Sequence, residues 1–133
     1  MSVIQGRLLH TMLHVGNLER SIDFYTRMLG MRVLRSGVFP EEGRSNAFIG
    51  YGEESDTTVL ELTQWRGVSS YEHGKAFGHL AIAAPDLVSA CAALRSAGVK
   101  VTREPWTVPS GTVMVAFIED PDGYAIELVQ RLS

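Results

Sequence analysis

The stretch "FIEDPDGYAIELVQ", Phe117 to Gln130, decides how the rest of the chain is read. Pro121, Asp122 and Gly123 form a tight-turn sequence, a structural device that sets up the last strand. Ala125, Ile126, Leu128 and Val129 then read as a short apolar strand. Glu127 stands in the middle of it. Side chains alternate faces along a strand, so Glu127 shares its face with Ala125 and Val129. A bare buried carboxylate in such a place is costly unless it is neutralised, paired or bound to a cation.

Working back along the chain, the same question is put a second time. "VLELT" carries Glu61 in an equally apolar strand, where it shares a face with Val59 and Thr63 while Leu60 and Leu62 point the other way. The triplet Ala47-Phe48-Ile49 returns 69 residues later as Ala116-Phe117-Ile118, and His10 with Leu18 returns at the same offset as His79 with Leu87. Asn17 and Asp86, also 69 apart, sit where helix N-caps are wanted. The two Glu-bearing strands are offset by 66 because the second copy has a shorter turn, an inexpensive change for a fold. The chain is therefore read as two copies of one unit.

Each copy has the same predicted order. "LLHTMLHV" (Leu8 to Val15) and "HLAIAA" (His79 to Ala84) have the length and composition of strands. "NLERSIDFYTRMLG" places Leu18, Ile22, Tyr25 and Leu29 at helical spacing and stops at Gly30. "DLVSACAALRSAG" does the same with Leu87, Cys91 and Leu94 and stops at Gly98. "MRVLR" and "VKVTR", then "NAFIGY" and "MVAFIE", then the Glu-bearing strands complete two βαβββ modules, 7–66 and 77–131. With "YEHGKAFGH" as the only plausible connector, the expected class is α+β: one domain, 1–133, built of two tandem modules with mixed sheets.

Bulk properties narrow the partners. The length of 133 residues allows one ordinary domain with a real core. Twelve basic against 15 acidic residues, a net charge of −3 without a Lys/Arg cluster, argues against a nucleic-acid surface and points to small molecules or another protein chain. No apolar run approaches the ~18 residues of a membrane span, and "MSVIQGRLLH" lacks the parts of a signal peptide, so a cytoplasmic protein is expected. The single cysteine, Cys91, cannot form an internal disulfide and falls on the apolar side of its helix as core filler.

His10 and His79 occupy equivalent places at the start of the modules, Glu61 and Glu127 at the end. Any one of them alone would be read as a buried polar group or an edge residue; their recurrence at matched positions favours a divalent metal site. Nitrogen and oxygen ligands without thiolate suit nickel, cobalt, manganese, iron or zinc. Four protein ligands leave two open positions in an octahedron, as a catalytic metal needs.

"LLHTML", "NLERSIDFYTRMLGMRVLR", "AFIGYG", "VLELT", "FGHLAIA" and "FIEDPDGYAIELV" together resemble glyoxalase I, the lactoylglutathione lyase branch of the vicinal oxygen chelate superfamily. The match extends from about Arg7 to Arg131. The resemblance implies paired βαβββ modules in curved sheets and a homodimer whose metal is shared between chains, with His10 and Glu61 of one chain joining His79 and Glu127 of the other. It implies isomerisation of the hemithioacetal of methylglyoxal and glutathione to S-lactoylglutathione, by proton transfer from C1 to C2 through an enediolate. The family assigns the base to the metal-site glutamates, here Glu127 and Glu61, of which Glu127 is favoured. The compact chain resembles the shorter bacterial forms, which favours nickel, with cobalt or zinc as the other ions.

Two departures bear on the thiol. Four residues after His10 the family usually carries an Arg that binds a glutathione carboxylate, whereas this chain has His14; four after Glu61 it usually carries an Asn, whereas this chain has Trp65 followed by Arg66. His14 lies on the same strand face as His10 and is placed to touch a substrate tail. Arg66 can supply a charge that imidazole only partly carries, Trp65 can line an apolar pocket, and Lys75, four before His79, is a further anion contact. Other readings are another superfamily metalloenzyme, a thiol transferase or an epimerase, and a binding or resistance protein without catalysis. Ring-cleaving dioxygenases of the superfamily use two His and one carboxylate on iron, which Glu61 speaks against. Binding members generally lack the four ligand-type residues present here.

Overall fold

The computed structural model describes residues 1–132. The chain divides into two compact units, Met1–Tyr71 and the part from Glu72 onward, so the division falls at the start of the expected connector.

In the first unit the order is β1 (His10–His14), α1 (Leu18–Asp23) continued by a π-helical turn (Phe24–Met28), β2 (Arg32–Phe39), β3 (Arg44–Gly50) and β4 (Val59–Trp65). In the second it is β5 (Leu80–Ala83), α2 (Leu87–Ser96), β6 (Val101–Thr107), β7 (Val113–Glu119) and β8 (Ala125–Arg131). The sheets run β1-β4-β3-β2 and β5-β8-β7-β6. Each joins its first and last strands in parallel and the remaining pairs antiparallel. The α+β class and the βαβββ order expected from the repeat are both present.

The helices start where the sequence marks them. Asn17 Oδ1 accepts from Arg20 N at 3.0 Å and Asp86 Oδ1 from Ser89 N at 3.2 Å. A second contact reaches the same ends from the sheets. Leu18 N donates to Gln64 Oε1 at 2.7 Å and Leu87 N to Gln130 Oε1 at 2.8 Å, which satisfies one more orphan donor of each first turn. Both helices end on a glycine in the left-handed region, Gly30 at φ 77° and Gly98 at φ 88°.

The expected single helix over 17–30 is interrupted. From Asn17 to Gly30 there is one more residue than from Asp86 to Gly98, and the first unit absorbs it as the π-helical turn at Phe24–Met28. An inserted residue is what a π-bulge accommodates without ending the helix. Thr26 Oγ1 donates to Ile22 O at 2.7 Å within this turn, and Tyr51 Oη donates to Leu29 O at 2.6 Å at its end.

The core of each unit lies between helix and sheet. Val15, Tyr25, Ala47, Ile49 and Leu62 are fully buried in the first, and Leu87, Ala116, Ile118 and Ile126 in the second. Cys91 is 2% exposed, in the core as expected, and burial pushes its thiol pKa up, away from reactivity. Among the described residues no helix is long and apolar enough to cross a membrane.

Candidate metal centre

The register of the strands brings each histidine to its glutamate. β1 pairs with β4 so that Met12 lies opposite Glu61 and His10 opposite Val59, all on one face. His10 Nε2 stands 3.3 Å from Glu61 Oε1. In the second unit Ala81 lies opposite Glu127, and His79, just before β5, has its Nε2 3.4 Å from Glu127 Oε1. An aromatic ring holds each imidazole edge-on: Phe48 against His10 at 5.2 Å and Phe117 against His79 at 5.4 Å. Phe48 and Phe117 are the strand neighbours of Glu61 and Glu127, which explains why the repeated triplet surrounds them.

These pairs suit a metal. Ligands held at ~2.1 Å from one ion and subtending ~90–110° stand ~3.0–3.4 Å apart, the separation both pairs show. The glutamates are shielded but reachable, with side-chain exposures of 15% at Glu61 and 23% at Glu127. An imidazole nitrogen and a carboxylate oxygen pointing at one spot are the kinds of donor that a divalent cation takes. Among the described residues no three His, Cys, Asp or Glu side chains stand together to hold a metal, so each His–Glu pair stands as a cluster of two.

The surroundings of the two carboxylates differ. Glu61 Oε2 accepts from Asn46 Nδ2 at 2.9 Å and from Thr63 Oγ1 at 3.2 Å. The positions facing Glu127 in the same way are Val115 and Val129, neither of which can donate from its side chain. Sequence reasoning does not single out Asn46 and Thr63 as functional residues. A signal is available, because "NAFI" and "VAFI" break the repeat at Asn46 and Val115.

The remaining candidates take varied places. His14 shares the His10 face and its ring stacks on Tyr71 at 5.1 Å. Trp65 is the last residue of β4, half-buried, and belongs to the same alternating face as Glu61 and Thr63. Arg66 lies beyond the strand, where its Nη2 donates to Pro40 O at 2.7 Å. Lys75 is exposed in the turn after Tyr71. Arg35, over the Phe48 ring at 3.7 Å, forms a two-pronged pair with Glu54 at 2.7 and 3.1 Å. That pairing holds the Glu54 carboxyl below its ordinary range.

A family model described as the Glyoxalase/Bleomycin resistance protein/Dioxygenase superfamily matches residues 7–128, and the chain belongs to this superfamily. Within it the chain is similar to lactoylglutathione lyases. It is 53% identical over 125 residues, 94% of this chain and 93% of the relative, to the lactoylglutathione lyase of Escherichia coli O157:H7. It is 50% identical over 127 residues, 96% and 92% of the two chains, to that of Neisseria meningitidis serogroup B. Among solved structures, the trypanothione-dependent glyoxalase I of Leishmania major shares 47% identity at a TM-score of 0.84, covering 95% of this chain and 87% of that one. Glyoxalase I of Zea mays shares 44% identity at a TM-score of 0.90, covering 96% of this chain and 45% of that one.

Proposed function

We propose that the chain is a lactoylglutathione lyase, which converts the hemithioacetal of methylglyoxal and glutathione into S-lactoylglutathione. The observation that carries the reading is the pair of matched His–Glu half-sites, His10 with Glu61 and His79 with Glu127, at nearly equal separations. Identity of about half to lactoylglutathione lyases over more than nine-tenths of the chain supports the same reaction. Each unit supplies two ligands. His10 and Glu61 of one copy with His79 and Glu127 of a second copy make a four-ligand site in a homodimer whose protomers are single domains of two modules. Nickel is the favoured ion, with cobalt or zinc as alternatives, and a cytoplasmic location fits a reaction whose substrate is a glutathione adduct.

Held by these four side chains, a divalent ion would supply Lewis-acid stabilisation of the negative charge that develops on the substrate. Glu127 takes the proton from C1 and returns it to C2. The hydroxyl proton passes from the C1 oxygen to the C2 oxygen, so the product is an isomer of the substrate and no external oxidant or reductant enters. His14 and Trp65 lie on the first unit's ligand face, where they can contact the thiol tail, while Arg66 and Lys75 supply positive charge for its carboxylates. A thiol other than glutathione is the second reading. It is favoured by His14 standing where the family usually has an Arg and by the trypanothione dependence of the Leishmania major relative.

Metal-stripped protein assayed on the methylglyoxal-glutathione hemithioacetal before and after nickel or zinc addition tests the proposal. Isomerase activity restored by metal is expected. Metal binding without turnover on either glutathione or trypanothione adducts would refute it.

A further inference from the structure

The two half-sites are built on equivalent strands, yet one carboxylate takes two further hydrogen bonds from neighbouring side chains and, among the described residues, the other takes none. Glu61 Oε1 faces His10 while its Oε2 accepts two hydrogen bonds, at 2.9 Å from Asn46 and 3.2 Å from Thr63. Both donors are themselves buried, Asn46 at 8% and Thr63 at 2% exposure, and they lie opposite each other in the β3–β4 register. The Asn46 amide is oriented by necessity, because its oxygen cannot face a carboxylate. That oxygen lies over Gly37 on β2, where an added Cβ would stand 3.3 Å from it. At Glu127 the corresponding positions are Val115 and Val129, and among the described residues only His79 reaches its carboxylate.

We infer that Asn46, with Thr63 beside it, is a positioning residue that tethers the Glu61 carboxylate in the metal site, whereas the valines at the matching positions give the Glu127 carboxylate no such tether. The inference rests on the metal-site reading above. Two hydrogen bonds to the outer oxygen leave Glu61 one orientation and hold its inner oxygen where the half-site needs it. Removing them leaves the ligand in place but lets it rotate, which weakens metal binding before it alters the fold. Glu127, flanked by aliphatic side chains, has His79 as its one side-chain partner among the described residues.

The experiment exchanges the two surroundings. In Asn46→Val with Thr63→Val, copying the second unit, affinity for Co2+ measured against a chelating dye should fall about 10–100-fold, and the cobalt absorption bands should shift and broaden. In Val115→Asn with Val129→Thr, copying the first unit, cobalt affinity should hold or rise, while kcat falls at least tenfold with KM little changed. Single Asn46→Asp and Thr63→Ser variants report on the same contacts if a double variant fails to fold. Asn46→Asp sets a second carboxylate against Glu61 and should weaken binding, whereas Thr63→Ser keeps the hydroxyl and should retain wild-type affinity. A folded Asn46→Val/Thr63→Val protein with wild-type cobalt affinity and spectrum would overturn the positioning role while leaving the metal site intact. Failure of the wild-type protein to bind cobalt would instead overturn the metal-site reading and the positioning role with it.

Discussion

The two units share a plan down to single hydrogen bonds and part company where chemistry begins. Both open on an Asx cap, both receive a glutamine from the last strand at the helix N-terminus, both end the helix on a left-handed glycine, and both set a Phe ring edge-on to the histidine of the His–Glu pair. Even an irregularity recurs: the β2–β3 and β6–β7 ladders slip at Val33/Arg35 and Val101/Arg103. Against this background the polar pair Asn46 and Thr63 in one unit and the valines Val115 and Val129 in the other stand out. The shared features maintain the fold. The unshared ones give two equivalent carboxylates different surroundings, a difference the proposed reaction would use.

The comparison breaks first at the glutamates themselves. Glu127→Gln should cut kcat by about 10²–10⁴, the range of a general base, with the fold retained, while Glu61→Gln should act more through metal affinity than through kcat in metal-saturated protein. Equal kcat losses with equal affinities would erase the distinction between base and fixed ligand. A smaller effect tests whether the units cooperate across two copies. His10→Ala and Glu127→Ala proteins, each inactive alone, should regain roughly a quarter of wild-type activity after subunit exchange, because half the dimers are hybrids with one intact site of two. No recovery would place all ligands of one site in one chain. The smallest effect concerns a feature the units share. Gln64→Ala and Gln130→Ala should each lower stability by about 1 kcal/mol, read as urea midpoints, and a marked inequality would show that the two helix starts are not equivalent.

Much of this is legible in the sequence because the repeat turns weak signals into paired ones. An Asn or Asp before a helix, a Gly after it and a Glu in an apolar strand are each ambiguous; found twice at offsets of 69 or 66, they specify the βαβββ order and the ligand candidates. The π-helical turn is countable, one residue more between cap and glycine, but helical periodicity tolerates a single insertion and gives no warning. Asn46 is hidden for a different reason. Its role depends on lying across from Thr63 and beside Glu61, which is a property of cross-strand register that no local pattern reports. Gln64 and Gln130 escape likewise, because they cap helices that lie more than forty residues earlier in the chain. The tails of the candidate site, His14 on Tyr71 and Arg66 on Pro40, depend on loop conformation, which sequence describes least.

The parallel pairing of first and last strands also has a kinetic meaning. In each unit the histidine belongs to the opening of the chain segment and the glutamate to its close, and they meet only when β1 finds β4 or β5 finds β8. Closing so long a segment is the entropically slow part of building such a unit, and the helix and the two antiparallel pairs have every chance to form first. A nascent or partly folded unit therefore offers an imidazole without its carboxylate, too poor a ligand set to trap a cation in the wrong place. At the proposed site metal capture would then be a late event, and a bound ion a certificate that the longest-range contact in the unit has been made.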